Sequence, residues 1–287
     1  MTRPEDIAVT HEWIDQPEGR LQVTRAGAGG NPVVLLSGAG IDNARLSWAR
    51  MIPALAADRA VFALDWPKQG GSIPWQGVAD HDRLLRAVLT VLDHYALDQV
   101  DLVGLSQGGA LSLATAIAHP DRVRRLVPIA PAGIISFPPV VHQLLWLTAK
   151  LPLLNQTLPS LMFRSRAGVE RFVRSSLVPG PVDDFEQIVD DVMAEIARRG
   201  GSGSSDWQNS SIGLWRMRVD LRPQLHTIAC PTLFIQGGAD IGVAPRHTRA
   251  AAALVPGARL EIIEGAGHWV NRQEPERVNR LVVDFLA

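Results

Sequence analysis

The sequence is short of several things at once. It contains a single cysteine, Cys230, so no disulfide can form within the chain and no thiolate cluster can hold a metal. Twenty-eight Lys and Arg against twenty-nine Asp and Glu leave a formal net charge of −1. That balance gives no electrostatic reason to expect nucleic acid or an anionic membrane as a partner. No apolar stretch reaches the ~18 residues that a membrane-crossing helix needs. The opening MTRPEDIAVTHEW lacks the apolar segment of a secretory leader, so a cytoplasmic protein is expected. Low-complexity sequence is limited to GGSGSS at 200–205, which reads as a flexible connection.

What is present suits a packed core: 46% of the residues are hydrophobic and 20% charged over 287 positions, enough for one large domain with an insertion. Residues 7–14 and 20–26 predict two short strands joined by the turn Gln16-Pro17-Glu18-Gly19. Val33–Leu36 and Ala60–Leu64 are continuous apolar runs, as parallel strands buried on both faces require. Helices are predicted over 44–57 and 80–95, and a further strand over Val123–Ile129. From about 134 to 220 the strand–helix alternation stops. Helices broken by Pro152, Pro159, Pro179 and Pro181 take its place, and the charges of the one over 182–199 read as a solvated face. Alternation resumes with a strand at Thr232–Gln236, a helix near 245–254, a strand at Arg259–Ile263 and a last helix from Pro275 to Leu286. The pattern predicts an α/β fold: a mostly parallel sheet flanked by helices, with a helical cap inserted after the sixth strand. The core would comprise 1–133 and 221–287, the cap 134–220.

Chemistry concentrates at three turns. Val100–Val103 reads as a buried strand, Gly109–Pro120 has helical spacing, and Gly104-Leu105-Ser106-Gln107-Gly108 joins them. A strand that becomes a helix this abruptly forces the turning residue into strained backbone, and small neighbours two positions either side relieve the clash. The serine oxygen is thereby lifted above the sheet. A serine needs a base to become a nucleophile, and that base needs a carboxylate to fix its tautomer. Asp240 follows the strand at 232–236 through Gly237-Gly238-Ala239, and His268 follows the strand at 259–263 through Glu264-Gly265-Ala266-Gly267. No other histidine follows a strand inside a glycine turn. A competing dinucleotide reading at Gly38-Ala39-Gly40 lacks its third glycine and leaves these residues unexplained.

Together LLSGAG at 35–40, ALDWPKQGGS at 63–72, LVGLSQGG at 102–109, PTLFIQGGAD at 231–240 and EGAGHW at 264–269 resemble the α/β-hydrolase fold family. The resemblance implies that Ser106 is the nucleophile, His268 the general base and Asp240 its orienting acid. It also implies an oxyanion hole made by the backbone N–H groups of Ala39 and Gln107, and no cofactor or metal. Two departures stand out: Ser37 where many members carry histidine, and Lys68-Gln69-Gly70-Gly71-Ser72 where a G-x-G-x-S follows Asp-x-Pro. Lys68 reads as a solvated loop residue. Gly38, Gly40, Trp146, Trp215, Ile241 and Trp269 are the candidate substrate contacts.

The apolar cap predicts a small-molecule apolar partner, an ester or related acyl compound. Alternatives are a carbon–carbon hydrolase, since His268-Trp269 and Arg277–Leu281 resemble meta-cleavage-product hydrolases, and a cofactor-free perhydrolase. In the carbon–carbon case Arg216 or Arg218 is the candidate partner for the substrate carboxylate. A non-catalytic ligand receptor on this fold is the reading from another class. It would be marked by a broken triad, and here the triad residues are intact. Oligomeric state is not legible in the sequence.

Overall fold

The computed structural model describes residues 8–200 and 205–287. The leader expectation and most of the GGSGSS stretch fall outside them. Strands β1 (Val9–Gln16) and β2 (Gly19–Ala26) form the expected hairpin, with Gln16 opposite Gly19. They continue into β3 (Val33–Leu36), β4 (Val61–Leu64), β5 (Val100–Leu105), β6 (Val123–Ile129), β7 (Leu233–Gly237) and β8 (Arg259–Ile263). The sheet order is β1-β2-β4-β3-β5-β6-β7-β8; β1–β2 and β2–β4 are antiparallel and the other pairs parallel. This is the mostly parallel sheet that the strand–helix alternation predicts, in the α/β-hydrolase form that the motif resemblance implies.

Both faces of the sheet are covered, so its central strands are fully buried. Successive residues point to opposite sides. Leu35, Val103 and Leu105 face helices α1 (Ala44–Trp48), α2 (Met51–Ala56) and the last helix. Val34, Leu36 and Leu102 face α3 (His81–His94) and α4 (Gln107–Ala118). The helix expected over 44–57 is split into α1 and α2. Pro53 has no N–H for the carbonyl of Ala49, and its ring crowds that carbonyl, so the helix restarts at Met51.

Between β6 and β7 the described chain is helical: α5 (Pro139–Lys150), α6 (Leu158–Met162), α7 (Arg166–Phe172), α8 (Phe185–Arg198) and α9 (Asp206–Ser211). π-helical turns at Leu153–Thr157 and Val173–Leu177 interrupt the series. The chain then closes with α10 (Pro245–Ala252), α11 (Val270–Gln273) and α12 (Pro275–Leu286). Val169, Ile188 and Val192 of the insertion join the same apolar cluster as α12, which seats the insertion over the carboxyl ends of the strands.

Candidate active site

Ser106 ends β5 and caps α4 with φ 54° and ψ −110°, a left-handed conformation for a residue with a side chain. Two glycines make that turn possible. A Cβ on Gly104 would lie 2.2 Å from the Gly108 carbonyl oxygen, and one on Gly108 would lie 2.0 Å from that of Leu36 in β3. Backbone hydrogen bonds pin the serine itself: its N–H donates to Ile129 at 2.9 Å, and its carbonyl accepts from Ala110 and Ala132 at 3.0 and 2.9 Å. Because α4 begins at Gln107, that residue's N–H has no acceptor within the helix.

Asp240 and His268 come from the turns after β7 and β8, which are bonded to each other through Gly238 N–H to Ile263 at 2.8 Å and Ala239 N–H to Ala266 at 2.8 Å. Nδ1 of His268 lies 2.8 Å from Oδ2 of Asp240. The same carboxylate accepts from the N–H groups of Gly242 (2.7 Å) and Val243 (2.9 Å) and from Nε2 of Gln236 (2.9 Å). Burial alone would raise its pKa. The His268 hydrogen bond and charge, with Val243 and Gln236, outweigh burial and hold Asp240 below its ordinary value. An anchored, ionised carboxylate on one ring nitrogen leaves the other nitrogen of His268 free to exchange a proton.

The turn after β3, Ser37–Gly40, is held from beneath. Oδ2 of Asp42 accepts from Gly38 N–H at 2.7 Å and from the Ser47 hydroxyl at 2.5 Å. Gln69 Nε2 donates to the carbonyls of Gly38 (3.2 Å) and Gly40 (3.1 Å), and the Trp66 indole to that of Ser37 (2.8 Å). Burial, opposed by its own hydrogen bonds and aided by the charge of Glu195, pushes Asp42 up to about 6. Asp65, which accepts from Ala44 and Gly71 N–H at 2.8 Å each, is likewise pushed up to about 6 by burial.

A cavity of about 130 Å³ opens at these turns. Ser106 and His268 line it together with Gly38, Ala39 and Gly40, and its apolar wall consists of Ile41, Phe163, Phe172, Leu177 and Trp269. Among the described residues, Gln208 is the one polar side chain that the insertion adds.

A family model described as the alpha/beta hydrolase fold matches residues 31–275. The chain belongs to the α/β-hydrolase fold family. It is 32% identical over 264 residues to a dihydrolipoyllysine-residue acetyltransferase component of an acetoin cleaving system from Pseudomonas putida, covering 91% of this chain and 64% of that protein. It is 30% identical over 282 residues to a 2-hydroxy-6-oxononadienedioate/2-hydroxy-6-oxononatrienedioate hydrolase from Cupriavidus pinatubonensis, covering 94% and 91% of the two chains. Among solved structures, a carboxylesterase from Bacillus subtilis superposes with a TM-score of 0.76 at 23% identity, over 99% of this chain and 93% of that one.

In this α/β-hydrolase the expected site residues divide sharply. Gly38, Ala39, Gly40, Ser106, His268 and Trp269 share the cavity, and Asp240 stands behind His268. Gln107 follows Ser106 but is not among the residues lining that cavity; it lines another, of about 420 Å³. Trp146, Trp215 and Ile241 are not among the residues lining the Ser106 cavity. Ile241 is 70% exposed because Asp240 closes a turn with Gly242 and Val243 that buries Val243 and turns its neighbour outward. Trp215, 76% exposed, sits at the tip of a turn closed by Gly213 N–H to Arg216 at 3.0 Å. Trp146 lies half-buried on α5, whose buried residues are only His142 and Ala149.

Arg216 and Arg218 are exposed and likewise absent from the cavity wall, while Lys68 pairs with Asp206 of α9 at 2.6 Å. Sequence reasoning missed Asp42, Gln69 and Glu195. Glu195 contradicts the solvated reading of its helix: it is 1% exposed and accepts from Asn43 Nδ2 at 2.8 Å and from Gly70 N–H at 2.9 Å. Lys68, not Gln69, stands where the family pattern has glycine, so the sequence carries no signal for Gln69. Its amide now reaches the turn after β3.

Proposed function

We propose that this α/β-hydrolase cleaves an apolar carboxylic ester or related acyl compound through a serine acyl-enzyme. Ser106 Oγ attacks the carbonyl carbon while His268 takes its proton, and Asp240 keeps the ring oriented and stabilises the imidazolium. The N–H groups of Ala39 and Gln107 receive the developing oxyanion. Collapse expels the alcohol, which takes the proton from His268. Water then attacks the acyl-enzyme, again deprotonated by His268, and releases the acid and free Ser106.

The observation that supports this reading is the shared cavity: Ser106 and His268 open into one chamber whose remaining wall, among the described residues, is apolar apart from Gln208. A carboxylate in such a chamber would lose its hydration without gaining a cation, at a cost of several kcal/mol. One observation favours the carbon–carbon hydrolase as a second reading. The neighbouring 420 Å³ cavity reaches Gln107 and carries Lys68, Arg198 and Arg199 against the single carboxylate of Asp206, which pairs with Lys68, so its wall is net cationic for a carboxylate tail. The Cupriavidus relative is named as a dioate hydrolase, which suits that alternative. Comparing kcat/KM for p-nitrophenyl esters of increasing chain length with that for a 2-hydroxy-6-oxo-dienoate separates the two. The ester reading expects the ester to lead by at least about tenfold. A dienoate preference that falls in Arg198→Ala would replace it with carbon–carbon cleavage.

A further inference from the structure

The helical insertion is inside out on one side. In α5, Val140, Leu144 and Leu147 fall on one helical stripe and are 71%, 59% and 42% exposed, whereas the polar His142 is buried and donates from Nε2 to the Gly213 carbonyl at 2.8 Å. The face extends beyond α5. Asn155 ties the following π-helical turn to α5 through its amide on the Ala149 carbonyl at 2.6 Å, and exposes Leu153 and Leu158 beside it. The His142 bond, made on the opposite, buried side of α5, holds the turn that bears exposed Trp215. So many large aliphatic residues facing water on adjoining elements mark a binding surface rather than scattered exposure.

Its charge is equally one-sided. Residues 133–169 and 207–219 contain no aspartate or glutamate, but they carry Lys150, Arg164, Arg166, Arg216 and Arg218. Arg166 is engaged by Glu170, Glu186 and Asp190. The other four are exposed and form no ion pair among the described residues. The overall charge of −1 therefore hides a stretch of the insertion in which exposed cations and exposed aliphatic residues occur together.

We propose that this face docks on an anionic phospholipid bilayer. Leucine and valine would enter the acyl boundary, with Lys150, Arg164, Arg216 and Arg218 on the headgroup phosphates. Self-association suits the surface poorly. In a two-fold dimer the exposed cations of the patch would meet their own image. A protein partner would be expected to meet aromatic and arginine anchors at the centre of the patch, where aliphatic side chains dominate instead. No helix among the described residues is long and apolar enough to cross a membrane, so attachment is to the surface. The proposal is independent of the reaction assigned above, because docking is read without turnover.

The test is co-sedimentation of the full chain with vesicles of phosphatidylcholine alone and of phosphatidylcholine with one quarter phosphatidylglycerol. Binding is expected to the anionic vesicles, with a fall of at least about tenfold in 0.5 M salt. Leu144→Glu with Leu147→Glu should abolish it. Lys150→Glu and Arg164→Glu should each weaken it by about fivefold or more. Thermal melting checks that each variant is folded, which the exposure of these positions favours. Absence of binding, or equal binding to both vesicle types, overturns the proposal. So does a dimer in sedimentation velocity that Leu144→Glu dissociates while vesicles leave the protein free.

Discussion

In the turns at the carboxyl ends of β3, β5, β7 and β8, nearly every backbone position is held by a named neighbour. Gly104 and Gly108 have no room for a methyl group, Ser106 is fixed by three backbone hydrogen bonds, and the Asp240 carboxylate accepts from four donors. The helical insertion meets the same cavity on other terms. Its helices break into π turns at 153–157 and 173–177, its contacts with the cavity are side chains such as Phe163, Phe172 and Gln208, and much of its apolar surface faces water. On the proposed reading the turns carry the chemistry and the insertion the selection. A reacting centre depends on fixed geometry, whereas a pocket wall tolerates side-chain exchange.

The comparison breaks most severely at Gly108. An alanine there drives Cβ into the Leu36 carbonyl, which is backbone and cannot yield, so Gly108→Ala should destabilise the fold by about 4 kcal/mol and abolish turnover. Urea titration followed by circular dichroism measures the first effect. Asp240→Asn should leave folding intact but lower kcat about 10⁴-fold, by favouring the wrong imidazole tautomer. A variant within tenfold of wild type would mean that another group orients His268.

A smaller, pH-dependent effect is expected at Asp42. Its carboxyl rises from 3.8 to about 6 on folding, as does that of Asp65, so both hold protons more tightly folded than unfolded. Folded-state stability is therefore lost as pH climbs from about 4 through 6, by roughly 3 kcal/mol for each such group. Wild type should melt lower at pH 7 than at pH 5, and Asp42→Asn should show a shallower dependence. Because Gly38 loses an ionic acceptor, kcat should also fall about tenfold. On the insertion side, Phe172→Ala should enlarge the cavity beside Phe163, whose ring lies 5.2 Å away, and alter kcat/KM only a few-fold. The shift should favour longer acyl chains. A loss as large as that of Asp240→Asn would erase the distinction between the two regions.

The sequence was most informative where structure is local. Strand runs such as Val33–Leu36, the glycines around Ser106 and the glycine turns before Asp240 and His268 each signal their conformation within a few residues. Strand β6, strand β8 and helix α12 occur at the boundaries that periodicity predicts. Where partners are distant in the chain, the signal fails. Nothing near Glu195 announces that it is buried against Asn43, 152 residues away. Hydrophobicity marked Trp146 and Trp215 as pocket residues, but it carries no information about which side of a helix or turn meets the core. In α5 the apolar stripe faces outward. The split between α1 and α2 is legible in Pro53.

Covalent labelling tests directly whether Ser106 is a nucleophile activated by His268. With a fluorophosphonate, intact mass and peptide mapping should find one adduct per chain, on Ser106, formed at least about 100-fold more slowly in His268→Ala. An adduct on another residue, no adduct at all, or an unchanged rate in His268→Ala would contradict it.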